Sequence, residues 1–201
     1  MRRAYQFLPV DTTMRWQDWT FVGMVVAGLL AFITLLQGNY VWAVVWSTIA
    51  LFLFVVARIS SKHHPGPMSY ALRWFLFAPR PYLSYKHLKQ ILELKEGERL
   101  LEIGPGNGIH ALPVASALTP KGRLDVLDIQ QAMLLDLMDR AQAKKLANIF
   151  PTQGDATRLP YVDNTFDAVY LITVLGEIPA ADQALREIRR VLKPKGRLVI
   201  G

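Results

Sequence analysis

Between Asp18 and Arg58 the chain runs for 39 residues without one charged side chain. Such a run is too long for one ordinary membrane span and suits two. A soluble core helix rarely needs so much unbroken apolar length. The natural break is Gln37-Gly38-Asn39, a polar triplet with two turn-forming residues. It leaves two candidate spans, about residues 20–37 and 40–57, each covering about 27 Å at helical rise, close to the hydrocarbon thickness of a bilayer. Trp16, Trp19, Tyr40 and Trp42 fall near their ends, where an interfacial aromatic belt belongs.

Charge supports the same reading. Of the formal net charge of +7, residues 1–85 hold seven basic groups against Asp11 and Asp18. Arg2, Arg3 and Arg15 precede the first span, Arg58 and Lys62 follow the second, and the triplet between has none. By the positive-inside rule both chain ends face the cytoplasm. The expectation is an integral protein of the plasma or inner membrane, with any folded domain on the cytoplasmic side. Basic excess that flanks apolar spans meets lipid head groups and not nucleic acid, so no nucleic-acid partner is expected. A cleaved signal peptide fits poorly, because a second apolar span follows at once.

Residues 1–60 therefore read as an anchor and 61–81 as a linker starting at Pro65-Gly66-Pro67. Met68–Ala78 is apolar enough either to lie in the membrane interface or to pack on a domain. The domain occupies residues 82–201, with a first helix around Tyr82–Leu94. There is no cysteine, which excludes disulfide scaffolds, thiolate metal sites and cysteine nucleophiles. His63, His64, His87 and His110 show no metal-ligand spacing, and no metal site is expected.

Chemistry begins at Arg99–Ile103, a short apolar strand running into Gly104-Pro105-Gly106-Asn107-Gly108, with a helix pattern over His110–Leu118. Strand, glycine turn and helix bring backbone N–H groups up to a ligand, and a Cβ would block that approach or forbid positive φ. A dinucleotide loop would place its third glycine at Ile109. The spacing here is instead E-x-G-x-G-x-G, led by Glu102, which disfavours a nicotinamide oxidoreductase. A second strand, Arg123–Ile129, ends in Asp128, 24 residues beyond Gly104, where a carboxylate can accept from both hydroxyls of a ribose. A helix over Ala132–Leu146 leads to a third strand, Ile149–Gln153, whose Pro151 suits an edge. Phe166–Ile172 reads as a buried parallel strand. Ala180–Leu192 is an amphipathic helix, closed by Lys193-Pro194-Lys195-Gly196, and Arg197 opens a fifth strand.

Four stretches in order, LLEIGPGNG (100–108), LDI (127–129), GDATRLPYVDNTFDAVY (154–170) and ALREIRRVLKPKGRLVI (184–200), resemble the class I S-adenosylmethionine-dependent methyltransferases. They are close in style to the quinone-biosynthesis C-methyltransferase group. The resemblance covers about half the chain. It implies an α/β fold: a Rossmann-like parallel sheet with flanking helices, here preceded by the transmembrane hairpin and lacking the family's last two strands. A truncated chain is the expected explanation.

The resemblance also assigns positions. Glu102, Gly104, Gly106 and Gly108 would hold the methionine portion of S-adenosylmethionine, or Glu102 would merely pair with a nearby Lys or Arg. Asp128 would take the ribose hydroxyls, with Ile129 against the adenine. Asp155 would accept from the adenine amino group, beside Ala156, unless Gly-Asp is only a turn. Thr173 would sit near the transferring methyl. Glu177 is the acidic residue placed after strand four for a substrate or base role, or else at the start of the following helix. Asp163 and Asn164 read as turn residues. The family's L-K-P-G-G is here Leu192-Lys193-Pro194-Lys195-Gly196, a surface change of little expected consequence. With the anchor, these features imply methyl transfer to a lipid or other hydrophobic membrane-associated acceptor. A membrane-tethered S-adenosylmethionine-binding module without turnover is the alternative.

Overall fold

The computed structural model describes residues 16–63, 65–72, 85–118 and 121–201. Arg2, Arg3, Arg15, His64, the latter part of Met68–Ala78 and the start of the Tyr82–Leu94 helix lie outside the described residues. The chain divides into two compact units, within residues 12–72 and within residues 73–201.

The first unit is a helical hairpin, α1 (Trp16–Leu36) and α2 (Tyr40–His63). Gly38 closes α1 with φ of 73° and donates to the Leu35 carbonyl at 3.0 Å, the left-handed cap that glycine takes without a Cβ penalty. Gly23 lets the helices approach, since a Cβ there would stand 3.2 Å from Leu53 Cδ1. Ala27 and Ala43 are buried, while Trp19, Leu29, Phe32, Leu36, Val41 and Phe52 are exposed. Asp18–Leu36 and Tyr40–Ser60 are long and apolar enough to cross a membrane, with only 6% of each buried within the molecule. Helix α2 continues past Arg58, beyond the span end at residue 57 expected from charge. A long arginine side chain can reach water from a helix whose backbone continues.

The second unit is a five-stranded parallel sheet in the order β3-β2-β1-β4-β5. Its strands are β1 (Arg99–Ile103), β2 (Arg123–Asp128), β3 (Ile149–Gln153), β4 (Phe166–Leu171) and β5 (Leu192–Ile200). Helices α3 (Tyr85–Leu92), α4 (Ala111–Ala117), α5 (Gln131–Ala143) and α6 (Ala181–Val191) flank it. β3 is an edge, as Pro151 requires: it pairs with β2 alone, Pro151 standing opposite Val126.

Strand alternation divides the core in two. Leu100, Val126, Ala168 and Tyr170 face Leu92, Leu112, Ala115, Leu134 and Leu137 from α3, α4 and α5. Leu101, Ile103, Leu127, Val169 and Leu171 face Ala184, Ile188 and Val191 of α6. β1 is buried on both faces, which explains its near-continuous apolar sequence.

In the second unit two boundaries depart most from the sequence expectation. α5 stops at Ala143, not Leu146, because Lys145 turns to φ of 57° and the Leu146 N–H bonds back to the Ala141 carbonyl at 3.0 Å. This is a capped end of the kind usually marked by glycine. β5 pairs first through Leu192 with Phe166. It then bulges over residues 193–196 before Arg197 meets Ala168.

Candidate functional site

β1 leads to β2 and β3 on one side, and the chain then returns to place β4 and β5 on the other. The strand order thus reverses between β1 and β4, and in open α/β sheets ligands bind beyond the carboxyl ends of the strands at such a switch. The glycine loop, Glu102, Asp128 and Thr173 all lie at that end.

The loop leaves β1 with Gly104 still in the ladder, its N–H donating to the Leu127 carbonyl at 2.8 Å. Gly104, Gly106 and Gly108 all take positive φ, at 67°, 53° and 83°. Close packing adds a second requirement. A Cβ on Gly104 would meet Val174 Cγ2 at 2.5 Å, and one on Gly108 would meet Leu137 Cγ at 2.9 Å. Both of those glycines are thus demanded by the protein's own side chains, and not only by a ligand's approach.

Asp128 ties loop to sheet. The Gly106 N–H donates to its Oδ2 at 3.4 Å and the Gln130 N–H to its Oδ1 at 2.9 Å. The carboxylate is 8% exposed, and burial raises its pKa to about 6 against the pull of those N–H groups.

Glu102 is 2% exposed. It pairs with no Lys or Arg among the described residues, unlike the alternative reading: its partner is the Tyr170 hydroxyl, which donates to Oε2 at 2.7 Å. Burial pushes its pKa to about 8, the Tyr170 hydrogen bond opposes the rise, and the charge of Asp128 adds to it. Two buried carboxyl groups thus interact with no cation beside them among the described residues, an arrangement typical of ligand sites.

The remaining candidates are more exposed. Asp155 is exposed, and its Oδ1 accepts from the Thr157 N–H at 2.8 Å in a local turn, leaving Oδ2 the freer oxygen. Ala156 is buried among Leu127 and Leu159, so only its backbone can face a ligand. Ile129 is exposed beyond the tip of β2. Thr173 is exposed after β4 at φ of 61°, a strained position for a β-branched residue. Its N–H donates to the Gly201 carbonyl at 2.6 Å. Glu177 ends a 3-10 turn, Leu175–Glu177, and is half-buried. It does not start the next helix, which begins at Ala181 with Asp182 in its first turn.

Three residues that support the site were missed in the sequence. Tyr170 and Val174 depend on the β1–β4 register and the following turn. Arg190 of α6 fastens the 155–165 loop, donating to the carbonyls of Leu159 (2.9 Å) and Tyr161 (2.7 Å) and to Asp163 Oδ1 (2.8 Å). Asn164 turns that loop at φ of 54°, as its turn reading anticipated.

Residues 101–200 match the family described as a methyltransferase domain. The chain is 40% identical over 111 residues to a demethylmenaquinone methyltransferase of Lactobacillus johnsonii, covering 54% of this chain and 45% of that protein. It is 37% identical over 108 residues to the ubiquinone/menaquinone biosynthesis C-methyltransferase UbiE of Pseudomonas entomophila, covering 53% and 42%. It spans less than half the length of these curated relatives. Among solved structures, a SAM-dependent methyltransferase from Aquifex aeolicus superposes with a TM-score of 0.59 at 22% identity, covering 64% of this chain and 69% of that one. That likeness bears on the fold.

Proposed function

Through residues 101–200 this chain belongs to the class I S-adenosylmethionine-dependent methyltransferases, and from that premise we propose that it is a membrane-anchored enzyme methylating a lipid or other hydrophobic, membrane-associated acceptor. Its cofactor is S-adenosylmethionine. The observation that carries the reading is the pair of buried carboxyl groups, Glu102 and Asp128, joined to a positive-φ glycine loop with no cation beside them among the described residues.

That donor set fits the cofactor. Asp128 accepts from the Gly106 and Gln130 N–H groups, and a carboxylate has lone pairs left for the two hydroxyls of a ribose. Among the described residues Glu102 has only a neutral phenol as partner, and a buried carboxyl in that state suits an incoming ammonium. In this reading Glu102, Gly104, Gly106 and Gly108 hold the methionine portion, Asp128 the ribose, and Ile129 the adenine face. Asp155 accepts from the adenine amino group, with the Ala156 backbone beside it, and Thr173 lies by the methyl. The bound cofactor supplies a sulfonium methyl already activated for in-line displacement. The residues contribute orientation, worth several kcal/mol in such reactions. A carbon nucleophile would also need a base, and Glu177 is the candidate for that role.

The hairpin supplies the second half of the proposal. Helices α1 and α2 cross the bilayer with Gln37-Gly38-Asn39 outside and both chain ends in the cytoplasm, as the basic residues favour. The covalent tether holds the domain where a hydrophobic acceptor resides. The quinone-biosynthesis relatives support an acceptor of that polarity.

The test is to incubate the full chain with methyl-labelled S-adenosylmethionine and membrane extract, then separate the lipids. Label in the lipid fraction is expected. Cofactor binding without transferred label would mark a binding module instead, and binding of NADH alone would remove the methyltransferase reading. Flotation with liposomes tests the anchor. The chain should float with the liposomes and stay with them through an alkaline wash; release into the soluble fraction would contradict the spanning hairpin.

A further inference from the structure

β4 reads Phe166-Asp167-Ala168-Val169-Tyr170-Leu171, and its last four residues are wholly buried. Tyr170 therefore brings the single side-chain hydroxyl into that stretch. A phenylalanine would fill the same space without burying a polar atom, so the hydroxyl costs stability unless a partner meets it. The β1–β4 register supplies the partner. Tyr170 stands opposite Glu102 on the neighbouring strand, and its hydroxyl donates to Glu102 Oε2 at 2.7 Å. This bond lies at the carboxyl end of the two strands between which the sheet order reverses.

Its consequence is directional. A buried carboxyl group on a flexible side chain has two equivalent oxygens and several rotamers. Tyr170 removes that freedom by claiming one oxygen, and it stays protonated and able to donate because burial and the adjacent Glu102 raise its pKa well above the usual value. Oε1 receives no hydrogen bond from the described residues. The charged and titratable neighbours of the pair are Asp128 from β2 and Tyr85 from α3, neither a cation. Among the described residues no cation meets Oε1, and a ligand's cation suits that position.

We propose that Tyr170 is a positioning residue that holds Glu102 through Oε2 so that Oε1 receives the ammonium of the cofactor's amino-acid end. The adenosine end is held elsewhere, so the hydroxyl tunes recognition of one half of the ligand alone. This rests on the assignment of Glu102 to the methionine portion, and the experiment separates the two.

Tyr170→Phe in the full chain removes one oxygen and keeps the ring in the core. Calorimetric titrations with three probes divide the ligand: S-adenosylmethionine and S-adenosylhomocysteine carry the ammonium, and 5′-methylthioadenosine lacks it. The variant should bind the first two roughly ten- to a hundredfold more weakly, the loss expected for a hydrogen bond to a charged group. Its affinity for 5′-methylthioadenosine should stay within about twofold. In a Glu102→Gln background the same substitution should change S-adenosylmethionine affinity by less than about twofold, because the bond then positions no charge. Tyr170→Met, which also lacks the donor, should repeat the pattern and guards against a folding defect peculiar to one replacement. Equal losses for all three probes, or none for any, would overturn the role of Tyr170 while leaving the cofactor site intact. A wild-type chain that binds none of the three would overturn the site itself.

Discussion

The amino and carboxyl ends of the same sheet treat buried carboxylates in opposite ways. Towards the amino end Asp125 is 1% exposed and gripped by two guanidinium groups. Arg99 meets it through Nε and Nη2 at 2.8 and 3.0 Å, and Arg123 through the same atoms at 2.8 Å each. At the carboxyl end Glu102 and Asp128 are as deeply buried, yet their partners are a phenol and backbone N–H groups. Burying an ion is expensive unless it is neutralised. A carboxylate with its cation in place serves the fold, whereas one left without a cation is spending stability on something the fold does not need.

That contrast can be broken at either end. Asp125→Asn leaves two guanidinium groups without their counter-charge. Chemical denaturation should show a loss of about 3 kcal/mol, the low end for breaking a buried pair, because the side chains of Arg99 and Arg123 keep 35% and 41% of their surface. S-adenosylmethionine affinity should be unchanged. Asp128→Ala should do the reverse, weakening S-adenosylmethionine binding by about 1–3 kcal/mol in calorimetry. If Asp125→Asn weakened binding as much as Asp128→Ala, the division between structural and ligand-facing carboxylates would fail.

Glu102 sharpens the comparison through pH. Its pKa rises from 4.5 to about 8 on folding. Between those values the folded chain keeps a proton that the unfolded chain has released, so this group lowers stability as pH rises. The slope is up to about 1.4 kcal/mol per pH unit and levels above pH 8. Asp128 adds the same sign between 3.8 and about 6. Glu102→Gln should flatten the slope of unfolding free energy from pH 6 to 8 in the ligand-free protein. A variant that keeps the parent's slope would show that Glu102 is ionised throughout.

The smallest effect lies away from both ends. Lys195 stands where the family has glycine, and it adopts φ of 68°. The change was expected to matter little, yet a side chain there bears left-handed strain. Lys195→Gly should raise stability by about 1 kcal/mol and leave ligand affinity alone; a lower unfolding midpoint would refute the strain.

What could be read from the sequence was local. The run from Arg99 into the glycines, the carboxylate of Asp128 closing a strand and Pro151 marking an edge all depend on residues close in the chain. Those elements stand where that reading put them. Partnerships across the chain were not legible. Glu102 and Tyr170 are 68 residues apart, and only the register of β1 on β4 makes them neighbours, so Tyr170 went unnoticed as the partner of Glu102. Val174 covering Gly104 depends on a turn after β4 that has no sequence signature. The end of α5 was placed late because Lys145, not glycine, takes the left-handed cap.

The most direct measurement is calorimetric titration of the full chain with S-adenosylmethionine, run beside Asp128→Ala and Asp125→Asn. Saturable binding at one site, weakened in the first variant and preserved in the second, is the predicted result. Equal affinity in the chain and in Asp128→Ala would contradict it, because the carboxylate at the tip of β2 would then hold no part of the cofactor.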